Sequence, residues 1–581
     1  MAQYDLVIRN ASLVDGTGAD VRQADVAVRG ERIAAIGTVR ERGRDELDAQ
    51  GLALAPGVID VHTHYDAQLT WDPTASPSPA LGVTTVVIGN CGFGIAPATP
   101  DTRDLILSNL SVVEAMSLDS LRAGVRWEFE TFGQYLELLR RRGVVPNVAS
   151  FASHSAIRSV VMKQAGSERA ATPEELARMT QIFRESMRDG AIGLGSSTFE
   201  NHNGFGGVPV PSRMADDEEF LAFASVIAEF GVGVTMITCG NRTTIDFLEQ
   251  LARASGRPAL YAPLLHYSNQ PERASSIAAQ CAAARARGVP VYAQASCQPL
   301  SMDFTVEHAY PMLTVGPWSE LAKADRAAMK AAFASTDFRD RMRQSLRRAE
   351  GTRIFNGAWD QVEVTLAATP GNGHLQGCTI AELAARRGVD PVDAFLDLAL
   401  DEDLQTTFTA KLLNVEENRV AELLANDGNL VSLSDGGAHL TFFCDAGFGM
   451  HFLGRWVREL RAFDLPAAVR KLTSDVADIY GLIDRGRIAV GAFADMILFD
   501  PQRIGISRTI RSDDLPGGAS RLTRTAPGLH TVWVNGVPVH GDGRYLNVER
   551  APGHVLTRFS GAGPTVGMAR AGRARGAGRE G

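Results

Sequence analysis

The most informative segment of the chain is Ala55-Pro56-Gly57-Val58-Ile59-Asp60-Val61-His62-Thr63-His64-Tyr65-Asp66. Its apolar entry predicts a short buried strand, and because side chains alternate with period two, residues 60, 62, 64 and 66 share one face. Two imidazoles and two carboxylates on one face are costly to bury in an apolar core, and they are typical ligands of a metal site. The alternative is a pair of histidines satisfied by backbone groups. In a barrel of parallel strands the carboxyl ends carry the active site, so this stretch predicts a metal-binding α/β barrel.

The middle of the chain, residues 57–482, alternates short apolar runs with helical patterns. Thr84–Ile88 and Val232–Ile237 are such runs, and Pro173–Arg188 is one of the helical segments. This alternation predicts a (β/α)8 TIM-like barrel. Residues 101–145 and 300–365 are expected to be insertions, the second of them helical.

Strand patterns return at both ends of the chain. Residues 1–56 alternate around a glycine turn, and residues 483–550 include the two-residue turn signal Asn535-Gly536. We therefore expect a small β-sandwich domain assembled from both ends. Residues 552–581 are dominated by Gly, Ala and Arg and predict a disordered tail, with a basic nucleic-acid arm as the alternative.

Composition excludes several classes of partner. The 581 residues include 58 Lys and Arg against 67 Asp and Glu, a net charge of −9 that disfavours nucleic acid and anionic membranes. The uncharged stretch 73–100 is interrupted by prolines and glycines, which argues against a membrane span. No secretion signal is visible, and six cysteines are too sparse for a disulfide scaffold, so we expect a cytoplasmic protein.

Two further strand ends carry chemistry. The run Thr84–Gly94 enters a glycine-rich turn with Cys91 at its mouth, and a thiolate suits Zn²⁺. The segment Asn429–His439 begins with a short strand that ends in an acid, Asp435, followed by two glycines. A carboxylate at such a strand end can ligate a metal and accept a proton from metal-bound water. Ser-Asp-Gly is also common turn chemistry, which is the alternative for this motif.

Together these motifs resemble the amidohydrolase superfamily, and more closely its N-acyl-D-amino-acid deacylase (D-aminoacylase)-like group. The resemblance rests on Pro56–His64, Gly89–Gly92, Ser434–Gly436 and Asp484–Asp495, and Gly-Asn-Cys-Gly is the most particular of them. It spans about residues 4–545. It implies a barrel with a β-sandwich domain and a site for one or two Zn²⁺ ions.

The resemblance also implies a set of ligands. The matching metal ligands are His62, His64, Cys91, His266 and Asp435, and Asp435 would also be the general base. The family's remaining histidine is replaced here by Cys239, which is either a thiolate ligand or a buried cysteine. Ser268 stands where the family tends to carry a lysine, so recognition of an amino-acid carboxylate by that lysine does not carry over.

Four polar residues near other predicted strand ends or loops are candidates for substrate binding. They are His154, Arg158, Arg213 and His439. A guanidinium on a rigid loop can bind a carboxylate. For the two arginines, a surface or domain-bridging role is the alternative.

The predicted function is zinc-dependent hydrolysis of an amide C–N bond, in the first place deacylation of an N-acyl (D-)amino acid or a related N-acyl compound. A cyclic-amide hydrolase similar to hydantoinase or dihydropyrimidinase, or a hydrolase of dipeptide-like substrates, is the alternative. A non-catalytic barrel scaffold is a third hypothesis. The expected partner is a small-molecule amide, with neither nucleic acid nor membrane, and a homo-oligomer is left open.

Overall fold

The computed structural model describes residues 2–313, 315–321, 324–348 and 355–561. The strands in these ranges are β1 (Tyr4–Leu13), β2 (Arg22–Arg29), β3 (Arg32–Gly37), β4 (Gly43–Asp48), β5 (Ala53–Pro56), β6 (Val58–Asp60), β7 (Val83–Ile88), β8 (Asn147–Ser150), β9 (Ala152–Ser153), β10 (Gly193–Ser197), β11 (Val234–Thr238), β12 (Ala259–Leu264), β13 (Val291–Ala295), β14 (Leu300–Phe304), β15 (Val362–Leu366), β16 (Thr407–Leu413), β17 (Asn429–Val431), β18 (Met496–Phe499), β19 (Ile510–Ser512), β20 (Arg521–Thr523), β21 (Leu529–Val534), β22 (Val537–Gly541) and β23 (Arg544–Tyr545).

The α-helices in the same ranges are α1 (Arg103–Val113), α2 (Leu118–Gly124), α3 (Phe132–Arg142), α4 (His154–Met162), α5 (Pro173–Asp189), α6 (Asp217–Phe230), α7 (Ile245–Ser255), α8 (Arg273–Ala286), α9 (Gly316–Ser319), α10 (Arg326–Ala334), α11 (Thr336–Arg347), α12 (Ile380–Arg387), α13 (Pro391–Asp401), α14 (Glu417–Ala425), α15 (Phe448–His451), α16 (Leu465–Leu472) and α17 (Ser474–Tyr480). Helix α5 illustrates why these segments are helical. A Thr172–Glu175 capping box and Pro173 begin it, and left-handed Gly190 ends it. Across the described ranges, no helix is both apolar and long enough to cross a membrane.

Parallel strands form two sheets in the middle of the chain. The first has the order β6-β7-β8 and the second β17-β13-β12-β11-β10-β9, and every pairing in both is parallel. Only Phe151 separates β8 from β9, which lie in different sheets. Beyond β6 and β17, the backbone N–H of His64 donates to the carbonyl of Gly436 at 2.7 Å. Helices alternate with these strands, so the architecture is α/β with parallel sheets, as predicted.

Strands from both ends of the chain share one sheet of nine strands. Its order is β23-β22-β21-β18-β5-β1-β2-β3, with β4 beside β1. The pairing that joins the two ends is β18 with β5, in which Met496 faces Pro56. This register brings the carboxyl-terminal strands next to the point where the chain enters β6.

The two predicted insertions, residues 101–145 and 300–365, differ in their secondary structure. Residues 101–145 contain the helices α1, α2 and α3. Among the described residues of 300–365, the helices α9, α10 and α11 lie between β14 and β15. These two strands pair with β16 in a three-stranded antiparallel sheet, so this part of the chain contains strands as well as the predicted helices.

The predicted disordered tail is partly ordered in the structure. The backbone N–H of Val148 in β8 donates to the carbonyl of His554 at 2.8 Å, and that of Leu556 donates to the carbonyl of Val148 at 2.7 Å. Residues 553–556 therefore lie beside β8, and further on the backbone N–H of Ser560 donates to the carbonyl of Gly481, just after α17, at 2.8 Å. The rest of the predicted tail, 562–581, lies outside the described residues.

Candidate metal centre

His62, His64 and Cys91 come together at the carboxyl ends of β6 and β7. One possible ligand atom from each lies within 4.8 Å of the others, and all three residues are buried. Sγ of Cys91 is 3.3 Å from Nε2 of His62 and 3.9 Å from Nε2 of His64. Cys91 has a positive φ of 53°, and a Cβ on the preceding Gly89 would lie 2.6 Å from the carbonyl oxygen of Phe151. The tight turn therefore needs glycine at position 89 in order to present the thiol.

Asp435 joins this group from the segment after β17. Its Oδ1 lies 3.2 Å from Nε2 of His62 and 3.5 Å from Nε2 of His64. Its side chain is 22% exposed, whereas the two imidazoles are 3% exposed, so the carboxylate lies on the open side of the cluster. A Cβ on Gly437 would approach the carbonyl of His64 to 2.8 Å, which explains the glycine at this position.

The ionisable groups of the cluster shift one another's pKa values. Burial alone would raise the pKa of the Cys91 thiol, but the neighbouring His62 and His64 lower it to about 6. Burial would likewise raise the pKa of Asp435, and the same imidazoles hold it well below its ordinary value. The cluster thus offers a thiolate, a carboxylate and two imidazoles, a donor set that suits Zn²⁺.

Each imidazole is also contacted at its outer nitrogen, Nδ1. For His62 this nitrogen lies 2.8 Å from Oε1 of Gln294, whose amide donates to the hydroxyl of Tyr480 at 2.7 Å. For His64 it lies 3.2 Å from Oε1 of Glu114, an ion-pair distance without hydrogen-bond geometry. The hydrogen bond at Nδ1 fixes the orientation of the His62 ring, and Nε2 of both rings is directed at Cys91 and Asp435.

His266 follows β12 and is 1% exposed. Its backbone N–H donates to Oδ1 of Asn414 at 2.6 Å. Neither ring nitrogen has a hydrogen-bond partner among the described residues. A buried imidazole without partners is costly, and a metal ion would satisfy one of its nitrogens. His266 is not one of the three residues whose ligand atoms lie within 4.8 Å of one another.

Cys239 and Thr238 occupy opposite sides of the backbone at the end of β11. Oγ1 of Thr238 donates to Sγ of Cys91 at 2.9 Å. Sγ of Cys239 instead donates to the carbonyl of Ile237 at 3.2 Å, within the apolar core that also contains Cys281. Burial raises the pKa of the Cys239 thiol well above its ordinary value. The structure thus places a hydroxyl at the cluster and the thiol of Cys239 away from it.

Two of the predicted substrate-binding residues, His154 and Arg158, contact the same buried carboxylate. Nε2 of His154 lies 2.6 Å from Oε1 of Glu219, and the guanidinium of Arg158 pairs with the other oxygen. Nδ1 of His154 lies 2.8 Å from the hydroxyl of Ser196. Both residues are 0% exposed. Their polar groups are occupied inside the protein, so the structure does not present them to a substrate.

The other two predicted substrate-binding residues, Arg213 and His439, are partly exposed. Arg213 donates to the backbone carbonyl of His202 at 3.2 Å and pairs with the side chain of Asn203. His439 is 28% exposed at its side chain, and its Nε2 lies 4.0 Å from Oε2 of Glu114. Of the four candidates, His439 is the one with a contact to a residue that touches the cluster.

Sequence reasoning missed four residues around the site: Glu114, Gln294, Thr238 and His202. Gln294 is a polar residue directly after the apolar run Val289–Ala293, which was an available signal. His202 follows β10, and its Nδ1 lies 2.7 Å from the hydroxyl of Ser197. Burial and the nearby His439 and His64 lower the pKa of His202 to about 3. No motif in the sequence marks Glu114.

Comparison with known proteins confirms the predicted resemblance. Residues 45–540 match the amidohydrolase family. The D-aminoacylase of Alcaligenes xylosoxydans xylosoxydans is 29% identical over 565 residues, which cover 96% of this chain and 98% of that protein. The N-acyl-D-aspartate deacylase of the same organism is 29% identical and covers 96% of this chain and 95% of its own length.

Solved structures agree with these relatives. A crystal structure of D-aminoacylase is 25% identical to this chain, with a TM-score of 0.64, and the match covers 96% of this chain and 100% of the other. N-acyl-D-glutamate deacylase from Bordetella bronchiseptica, complexed with zinc and a phosphonate mimic of the tetrahedral intermediate, is 25% identical with a TM-score of 0.65 over the same shares. These neighbours support a TIM-barrel-like fold. The chain belongs to the amidohydrolase family.

Proposed function

We propose that this chain is a zinc-dependent hydrolase that removes the acyl group from an N-acyl-D-amino acid or a related N-acyl compound. The observation that carries the proposal is the gathering of two imidazoles, a thiol and a carboxylate at the ends of β6, β7 and β17. The relatives named as D-aminoacylase and as N-acyl-D-aspartate and N-acyl-D-glutamate deacylases support the choice of reaction.

In this proposal His62, His64 and Cys91 hold one zinc ion, and Asp435 and His266 complete the ligand set for one or two ions. The unpartnered ring nitrogens of His266 support its inclusion. Cys239 is left out, because its thiol faces the carbonyl of Ile237. Bound zinc generates a nucleophile from water at neutral pH and polarises the carbonyl of the substrate.

Proton transfer in this reaction is assigned to a side chain of the protein. Oδ1 of Asp435 lies 3.2 Å from Nε2 of His62, where the carboxylate would accept a proton from the attacking water and return it to the leaving nitrogen. Its partly exposed side chain faces the side from which a substrate can enter. Thr238 donates a hydrogen bond to Cys91, which helps keep the sulfur in its thiolate form.

We also propose a closed barrel and a small second domain. The hydrogen bond from His64 to Gly436 supports a barrel in which the segments after β6 and β17 meet. The nine-stranded sheet supports a small β-sandwich domain built from both chain ends. A cytoplasmic location and any homo-oligomer stay predictions.

The test is a substrate panel with the zinc-loaded protein. It contains N-acetyl-D-amino acids, their L enantiomers, N-acetylated amines without a carboxylate, hydantoin and dihydropyrimidine rings, and dipeptides. We expect the N-acyl-D-amino acids to be hydrolysed with the highest kcat/KM. The amines test the consequence of Ser268, because they lack the carboxylate that a lysine at that position would bind. Turnover of the cyclic amides alone, or no turnover by protein containing zinc, would overturn the proposal.

A further inference from the structure

We infer that Glu114 is a positioning residue of the metal centre, which holds the His64 ring so that Nε2 faces the metal. The inference rests on the proposed zinc site. Oε1 of Glu114 lies 3.2 Å from Nδ1 of His64, and Oε2 lies 4.0 Å from Nε2 of His439. Both ion-pair contacts that the structure gives this carboxylate are therefore to imidazoles at the site.

Glu114 reaches the site from outside the parallel strands. It is the C-cap residue directly after α1, and its backbone N–H donates to the carbonyl of Leu110 at 2.9 Å. Its own carbonyl accepts a hydrogen bond from the backbone N–H of His439. One residue thus joins α1 to the segment after β6 through its side chain and to the segment after β17 through its backbone. A substitution confined to the side chain leaves the backbone link in place.

The burial of Glu114 argues for a role beyond packing. Its side chain is 2% exposed, and a carboxyl group this deep is costly unless it has a polar partner. An apolar residue would end α1 at lower cost. A carboxylate behind a metal-binding imidazole, however, fixes the tautomer and raises the basicity of the opposite nitrogen.

The two imidazoles of the cluster provide an internal comparison. Behind His62 stands the neutral amide of Gln294, itself fixed by Tyr480. Behind His64 stands the carboxylate of Glu114. A Glu114→Gln variant gives His64 the kind of partner that His62 has, and it keeps the size of the side chain while replacing one carboxyl oxygen with an amide nitrogen. A Glu114→Ala variant removes the contact altogether.

The experiment measures zinc affinity by competition with a chromophoric chelator, together with the absorption spectrum of the cobalt-substituted protein. We expect Glu114→Gln to bind zinc about 10-fold more weakly and Glu114→Ala about 100-fold more weakly, the range found when outer partners of metal ligands are removed. We also expect the cobalt d–d bands to shift in both variants. Circular dichroism and the Tm of the metal-free proteins show whether the variants fold; should Glu114→Ala not fold, Glu114→Gln decides.

The matched control is Glu137→Gln on α3, an exposed carboxylate of the same insertion that pairs with Arg140. It should leave both the affinity and the spectrum unchanged. Folded Glu114 variants with wild-type zinc affinity and an unshifted cobalt spectrum would overturn the inference and leave the proposed function intact. A wild-type protein that binds no zinc would instead overturn the proposed function, and the inference with it.

Discussion

Oγ1 of Thr238 lies 2.9 Å from Sγ of Cys91, whereas the thiol of Cys239, one residue further on, faces the carbonyl of Ile237. Consecutive side chains on an extended segment point to opposite sides, so only one of the two can face the cluster. Strand β11 thus presents a hydroxyl to the thiolate of Cys91. The histidine that the family resemblance implies at this point therefore has no counterpart in the cluster.

Replacing Cys239 with Ala tests this placement. We expect the same zinc content per chain and a kcat within twofold of wild type, because the thiol lies in the apolar core rather than at the cluster. The loss of one buried sulfur should cost about 1 kcal/mol of unfolding free energy. Metal analysis and steady-state kinetics check the prediction. Loss of one zinc ion per chain in Cys239→Ala would restore the cysteine as a ligand.

Thr238→Val is the companion variant at the facing position. It removes the hydrogen bond to Cys91 and nearly preserves the volume of the side chain. We expect weaker zinc binding, because the thiolate loses a donor that stabilises its charge. Chelator competition measures the effect. An unchanged zinc affinity would show that this hydrogen bond does not contribute to the metal centre.

Asp435→Asn separates proton transfer from metal binding. His62, His64 and Cys91 remain, so we expect the variant to retain zinc, while kcat falls by about 10²- to 10⁴-fold because the amide cannot accept a proton. Asp427→Asn, an exposed position shortly before β17, is the matched control and should turn over normally. Metal content and kcat are measured on the same preparations. Normal turnover by Asp435→Asn would remove this residue as the general base.

Local patterns predicted those parts of the site that depend on local geometry. Alternation along one strand implied that residues 62 and 64 share a face, and the structure directs both Nε2 atoms at Cys91. Glycine-rich turns pointed to Cys91 and Asp435, where positive φ angles occur in the structure. These features are local because a strand's period and a turn's backbone depend on a few neighbouring residues.

The remaining features depend on contacts between distant segments. A shift of one residue in the register of β11 decides whether Thr238 or Cys239 faces the cluster, and the local sequence does not determine that register. His154 and Arg158 appeared available to a substrate because their partner Glu219 lies more than 60 positions away. Glu114 carries no motif, and only the packing of α1 brings it to His64.

A buried ion pair links the nine-stranded sheet to the parallel strands. The guanidinium of Arg485 pairs with Asp495 and donates to Oδ1 of Asn535 at 2.9 Å, and Asn147 of β8 donates to Asp495 at 3.1 Å. Arg485→Met would leave the carboxylate of Asp495 buried without its counter-charge. We expect a loss of about 3 to 5 kcal/mol of unfolding free energy, measured by urea titration.

Arg487→Met is the control for this prediction, because Arg487 pairs with Asp478 where both side chains are more than a third exposed. Its loss should cost less than about 1 kcal/mol. Equal destabilisation by the two variants would contradict a special role for the buried pair. Activity per folded molecule should stay unchanged in both, since neither arginine contacts the cluster.

Truncation tests the ordered part of the predicted tail. A chain that ends at residue 551 loses the hydrogen bonds of His554 and Leu556 with Val148, and that of Ser560 with the carbonyl of Gly481. At about 0.5 to 1.5 kcal/mol for each hydrogen bond, these losses should lower the urea midpoint measurably. A chain that ends at residue 561 keeps all three contacts, and we expect it to unfold at the wild-type midpoint because Gly, Ala and Arg offer little apolar surface to bury. Equal midpoints for both truncated chains would mean that residues 552–561 add nothing to the stability of the parallel strands.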